Sequence, residues 1–249
     1  MTVQDDERER ELVRLFNLQW DASHQRGGVD ALLELPLVSK KIQFEVEVKS
    51  TTGETISTAR DVGMPHIEKW RRKFFIIGFY TKEKGRPELK RCLCLTPDDM
   101  EPWIVSIEQK ILTDFKLAAL SSKRLELDDL FEVCGEQEIY TVADAKKLHK
   151  QQWTATQYDA AQDITVNGKR RISQQKMLEI LKLRSQYIAE RGATLNNPHI
   201  TKTHLAKFIG TDREIKDNWA ANIRAIGVEF YRLNQKHPSV LDFGKTKKK

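Results

Sequence analysis

Cysteine is scarce in this chain: Cys92, Cys94 and Cys134 are the three copies among 249 residues. An odd number without paired spacing builds neither a disulfide framework nor a zinc site, and fits small buried hydrophobes in a reducing compartment. Glycine (12) and proline (7) are too few for a collagen-like or low-complexity chain. No apolar run approaches the roughly 18 residues of a membrane-spanning helix. The opening Met-Thr-Val-Gln-Asp-Asp-Glu-Arg-Glu-Arg-Glu lacks the apolar core of a secretory signal. The expectation is an intracellular, cytoplasmic protein with no membrane partner. Hydrophobic residues make up 39%, enough to pack one large domain or two ordinary ones.

Charge is balanced over most of the chain and then is not. Residues 199–249 carry 11 Lys and Arg against 5 Asp and Glu, so the whole net charge of +6 lies in the last fifth. Part of it is the basic tail Lys245, Lys247, Lys248 and Lys249. A basic segment joined to a neutral one points to a polyanionic partner, with nucleic acid ahead of membrane because no amphipathic surface helix is evident.

Hydrophobic spacing sketches the elements. Residues 5–24 are rich in helix formers, with Leu12, Leu15, Phe16 and Gln19 at helical intervals, and Arg26-Gly27-Gly28 ends that helix. Residues 29–35 read as a strand closed by Pro36. Over 42–50, Ile42, Phe44, Val46 and Val48 alternate with Gln43, Glu45, Glu47 and Lys49, the clearest strand signal in the sequence. A short helix at 65–73, a buried strand at 74–80, a strand at 89–95 and a helix from Pro97 to about residue 120 follow, the last with Trp103, Ile107, Ile111 and Phe115 on one face. Helices and strands in this order predict an α/β architecture. Beyond residue 142 the pattern is helical, with a strong helix over 172–191 and no further strand until the very end. Residues 200–226 resemble a helix-turn-helix: Thr201 or Thr203 caps the first helix, Ala206 sits at the crossing, Gly210 turns, and 212–226 forms the second helix with Ile215, Trp219 and Ile223 inward. Two regions are therefore expected, 1–140 and a mainly helical 141–249.

The alternating strand also carries the chemistry. Glu45, Glu47 and Lys49 share one face, and two carboxylates on a half-buried strand repel unless a cation offsets them. Asp30 lies on the preceding strand, just after Gly27-Gly28. If the two strands pair, Asp30 and Glu47 converge on one Mg2+, a hard cation suited to few carboxylates and a phosphate substrate.

Asp30, then Glu47-Val48-Lys49 on the next strand, then a helix and the apolar strand 74–80, resembles the PD-(D/E)xK nuclease superfamily. Within it the chain looks most like a type II restriction endonuclease. The resemblance covers residues 5–120, and Val29 stands where the family's name has proline. It implies a restriction-endonuclease-like mixed central sheet flanked by helices. It also implies Asp30, Glu47 and the Val48 carbonyl as Mg2+ ligands, and Lys49 orienting or deprotonating the attacking water. Glu11 and Glu45 are candidate accessory acids. The implied reaction is metal-assisted, sequence-specific hydrolysis of double-stranded DNA to 5′-phosphate ends, by a homodimer in a prokaryotic cell with a companion DNA methyltransferase. Arg60, His66, Lys69, Arg71 and Arg72 are candidate DNA contacts, and Arg213, Lys216 and Asn218 have the chemistry to meet base edges. Other nucleases of the superfamily (a repair nickase, a junction resolvase, a transposition nuclease) would share Asp30, Glu47 and Lys49. A non-enzymatic helix-turn-helix regulator is the remaining alternative.

Overall fold

A computed structural model describes residues 3–20, 29–37, 41–81 and 87–242; Gly27, Gly28 and the tail lysines lie outside them. The chain divides into two compact units, Met1–Lys110 with Leu195–Lys249, and Ile111–Thr194. These bounds differ from the expected 1–140 and 141–249, because the C-terminal segment returns to pair with strands of the N-terminal one.

The first unit opens with α1 (Val3–Leu15), β1 (Gln19–Trp20), β2 (Ala31–Pro36), β3 (Lys41–Thr51), β4 (Thr55–Ile56), α2 (Met64–Trp70), β5 (Lys73–Tyr80) and β6 (Leu89–Leu95). Helix α3 (Pro97–Lys123) carries the chain into the second unit. Helix α1 stops well before residue 24. Asn17 takes φ 47°, the left-handed conformation asparagine tolerates, and the Leu18 N–H donates to the Val13 carbonyl across the helix end.

The second unit holds α4 (Leu127–Cys134), β7 (Ile139–Tyr140), α5 (Val142–Leu148), α6 (Ala155–Ala160), β8 (Ile164–Val166), β9 (Lys169–Ser173) and α7 (Gln174–Ala193). Leu130, Tyr140, Ala145, Ile172, Met177 and Ile180 form its own core. The sequence reading expects no strand between residue 142 and the very end, whereas β8 and β9 form there and join β7 in a small sheet of order β7-β9-β8. The strands are too short to alternate visibly, and the signal that does mark them is the Asn167-Gly168 turn.

Back in the first unit the chain adds β10 (Ile200–Thr201), α8 (Lys202–Phe208), β11 (Glu214–Ile215), α9 (Trp219–Leu233) and β12 (Leu241–Asp242). The helix-turn-helix expected over 200–226 does not form as a pair of helices. Residues expected in the first turns of its second helix instead make a 3-10 turn (Thr211–Arg213) and β11, which pairs with Cys92 and Leu93 of β6. Sheet hydrogen bonds and burial of Ile215 outweigh the helical spacing read from that segment.

The main sheet is mixed, in the order β1-β2-β3-β5-β6-β11, with β12 beside the start of β3. Strand β3 is antiparallel to β2 and parallel to β5, the latter reached through α2. Ile42, Phe44, Val46 and Val48 are fully buried and share one core with Leu12 and Phe16 of α1 and Ile223 and Phe230 of α9. Gly78 and Gly227 allow this close approach: a Cβ at Gly78 would lie 2.8 Å from Leu12 Cδ1, and one at Gly227 3.1 Å from Leu35 Cδ1. Phe75 and Ile77, on the alternate positions of β5, are buried too, and Trp70 of α2 meets Trp103 of α3 at a ring-centroid distance of 5.0 Å. Helices thus flank a mixed sheet, as the α/β reading expected. Among the described residues no helix is long and apolar enough to cross a membrane.

Candidate active site

Pairing of β2 with β3 creates the site. Ala31 faces Val46, so the same register carried one step further sets Asp30 opposite Glu47. The alternation that buries Val46 and Val48 turns Glu47 and Lys49 to the other, half-buried face. Lys49 Nζ stands 2.8 Å from Glu47 Oε1 and 3.7 Å from Asp30 Oδ2, and the Val48 N–H donates to Asp30 Oδ2 at 2.9 Å. The adjacent positions on two strands thus become one cluster.

A fourth member comes from β5. Lys73, buried to 4% exposure, places Nζ 2.6 Å from Glu47 Oε2, so each carboxylate oxygen of Glu47 meets a lysine. Nothing in the sequence reading singled out Lys73. The sequence puts it at the end of the helix expected over 65–73, and only the parallel pairing of β3 with β5 brings it to Glu47.

The two carboxylates titrate in opposite directions. Burial works against ionisation of Glu47, but Lys49 and Lys73 outweigh it and lower its pKa to about 2. Asp30 goes up: burial is the main cause and the Glu47 charge adds to it, against the pull of Lys49 and the Val48 hydrogen bond. Lys49 is held protonated, since the attraction of Glu47 and Asp30, with Glu9 of α1 contributing, overcomes its own burial. His66 of α2 lies within the field of Glu47, yet burial, with Lys69 adding to it, lowers its pKa. Its Nδ1 accepts the Gly63 N–H at 3.4 Å.

Other expected residues lie elsewhere. Glu11 accepts the Tyr80 hydroxyl at 3.0 Å, and the acid whose charge reaches Lys49 from α1 is Glu9. Glu45 sits two residues before Glu47 on the same face, beside Leu32 and Lys73 in the strand register. Arg60, Lys69 and Arg72 are exposed. Arg71 forks onto Glu108 at 2.7 and 3.1 Å and onto Glu101, tying α2 to α3. Arg213 pairs with Asp99 at 2.8 Å and with Asp212 at 2.7 Å, and Lys216 pairs with Glu214 at 3.0 Å. Asn218, at φ 44°, begins α9, and its side chain donates to Asp217. Cys92 and Cys94 are buried, and burial raises both thiols, so they pack as hydrophobes.

Among the described residues no three His, Cys, Asp or Glu side chains gather into a metal-ligating group. Asp30 and Glu47 are a pair, and Val48, next after Glu47 on β3, gives its N–H to Asp30. That hard-oxygen donor set fits a Mg2+ ion, which takes one or two carboxylates and leaves positions for water and phosphate. No protein-family model matches the chain, and no curated protein matches it.

Proposed function

We propose that the chain is a Mg2+-dependent endonuclease that hydrolyses double-stranded DNA at specific sites, as a type II restriction enzyme does, on a restriction-endonuclease-like core made of α1, β2, β3, α2 and β5. The observation that carries this reading is the cluster itself. Asp30, Glu47 and Lys49 meet within 4 Å on adjacent antiparallel strands, with Lys73 buried behind Glu47. A surface strand carrying incidental salt bridges would keep these groups in water, whereas here they are desolvated, which costs stability and calls for a reason.

In this reading Asp30 and Glu47, with the Val48 carbonyl, hold the Mg2+. When bound, the ion neutralises phosphate charge and acidifies a water. Lys73 keeps Glu47 ionised and fixes its orientation. Lys49, protonated, positions the attacking water and stabilises the charge that builds on the phosphate oxygens, and this favours the electrostatic role over that of a base. Water oxygen bonds to phosphorus, the P–O3′ bond breaks, and the products are a 5′-phosphate and a 3′-hydroxyl. Two sites in a homodimer serve the two strands.

Lys49→Ala tests the assignment. Its expected effect is loss of cleavage by at least about a hundredfold, the scale of removing a charge-stabilising donor, while duplex binding measured by electrophoretic mobility stays near wild type. Wild-type cleavage by this variant would remove the mechanism.

A further inference from the structure

A buried cation of the second unit lacks a counter-charge among the described residues. Arg184 of α7 keeps 7% of its surface exposed. Its guanidinium carries five N–H donors, yet among the described residues it makes a single side-chain hydrogen bond, from Nη1 to Gln152 Oε1 at 2.8 Å. The Tyr187 ring, its centroid 5.3 Å from the guanidinium carbon, eases the charge without accepting a hydrogen bond. The acids of this region crowd into residues 126–144, which contain seven of them and no Lys or Arg. Among the described residues, however, no carboxylate pairs with Arg184. A charge buried in this way costs stability until an anion meets it.

The neighbours of Arg184 add donors and no negative charge. Gln152 spends its side-chain oxygen on the guanidinium, which leaves its amide N–H groups to donate elsewhere. His149, the residue that closes α5, is 7% exposed, and its ring lies on Trp153 at a centroid distance of 4.3 Å. Burial, with the Arg184 charge adding to it, lowers the His149 pKa against a pull from its own carbonyl, and its buried Nδ1 bonds to no other residue. The imidazole is therefore kept neutral beside the cation. The chain between them is tightly wound. Lys150 and Gln151 take left-handed φ of 50° and 56°, and the Gln152 N–H returns to the His149 carbonyl at 3.1 Å. That loop brings His149 and Gln152 to the same guanidinium. Among the described residues, the sealed side-chain N and O atoms that lack a partner are His149 Nδ1 and His204 Nε2, so the unpaired N–H groups of Arg184 stay within reach of solvent.

We propose that Arg184 and the Gln152 amide together bind a phosphate-type oxyanion beside His149. A planar guanidinium with donors to spare meets two oxygens of such a group at once. The Gln152 amide supplies a donor for a third oxygen, which a carboxylate does not possess. Every group gathered here is cationic or neutral, so the ligand brings the negative charge. The same donors serve a free phosphate, a small phosphorylated molecule or a phosphodiester of bound DNA. The site stands apart from the nuclease reading, since Asp30, Glu47 and Lys49 belong to the other unit.

The test titrates inorganic phosphate into the full chain at neutral pH and constant ionic strength, read by isothermal titration calorimetry. Wild type is expected to take up phosphate saturably. Gln152→Glu sets a carboxylate against Arg184 with almost no change of shape, and is expected to weaken phosphate binding by at least about tenfold, the scale of a charge-assisted hydrogen bond. The same variant is expected to melt at a higher temperature than wild type in phosphate-free buffer, because the cation gains a partner, and this separates lost binding from lost fold. Arg184→Met keeps the apolar stem and is likewise expected to lose phosphate binding. Absence of saturable binding to wild type would overturn the proposal, as would wild-type affinity in Gln152→Glu or a melting temperature of that variant below wild type. A second arm measures a fluorescent DNA duplex by anisotropy in EDTA, so that binding is read without cleavage. Weaker duplex binding by Gln152→Glu would assign the phosphate to the DNA backbone. Unchanged duplex binding beside lost phosphate binding would assign it to a small phosphorylated ligand, and either assignment upholds the site.

Discussion

At the residue scale the site holds two carboxylates in opposed electrostatic positions, and each yields its own expectation. Asp30 is penalised in its ionised form by burial and by Glu47. Asp30→Asn keeps an oxygen to accept the Val48 N–H while removing the charge, so thermal melting at neutral pH is expected to shift upward as cleavage is lost. A lower melting temperature would contradict the raised pKa. Glu47 is the reverse case, with its pKa lowered to about 2 by two lysines against its own burial. Its ionised form contributes stability that is complete above the ordinary glutamate range and is lost as pH falls through that range towards 2. Glu47→Gln leaves Lys73 desolvated without the anion it pairs with and takes from Lys49 its nearest one, and is expected to cost about 3 kcal/mol in urea unfolding at pH 7, with the difference from wild type shrinking in acid. Glu47 and Lys49 could be placed on one face from the sequence because a period-two strand fixes which residues share it, and Asp30 joins them through the pairing of β2 with β3. Lys73 could not, because its place depends on which strand lies beside β3, a fact of tertiary pairing.

At the element scale, the long periodic segments were legible and the short ones were not. Strand β3 and the apolar β5 stand within a residue or so of their expected bounds, since nine or more alternating or seven apolar residues leave little choice of structure. Residues 200–226 misled for a physical reason: Ala206 and Gly210 do mark a helix and its end, but Glu214 and Ile215 find a sheet edge at β6. The short helices α5 and α6 did carry signals, Thr141 with Asp144 and Thr154 with Gln157, each a cap pattern of three-residue spacing. Asn167-Gly168 between β8 and β9 was likewise a hairpin signal in plain view. The hairpin depends on that turn. Gly168→Ala forces a Cβ into φ 71° and is expected to destabilise the protein by about 1 kcal/mol, measured by denaturant unfolding; an unchanged midpoint would mean that the turn is not left-handed.

At the scale of the whole molecule, a net charge of +6 says less than where the charges stand. The basic excess after residue 199 drew attention to the C-terminal segment, yet its Arg213 and Lys216 are drawn into ion pairs and its Arg224 donates to the Phe16 and Asn17 carbonyls at the end of α1. Within the balanced stretch, by contrast, acidic and basic residues separate by element. The division into units also follows pairing more than composition: chain ends far apart in sequence share one sheet, and the middle segment folds on its own core. The first unit holds the desolvated carboxylate–lysine cluster on which the proposed nuclease reading rests. The most direct test of that account is incubation of the purified protein with unmethylated phage DNA and Mg2+, beside EDTA and the Asp30→Asn variant. Discrete fragments with 5′-phosphate ends, absent in both controls, are the expected result; intact DNA with the wild-type protein, or the same fragments from Asp30→Asn, would contradict it.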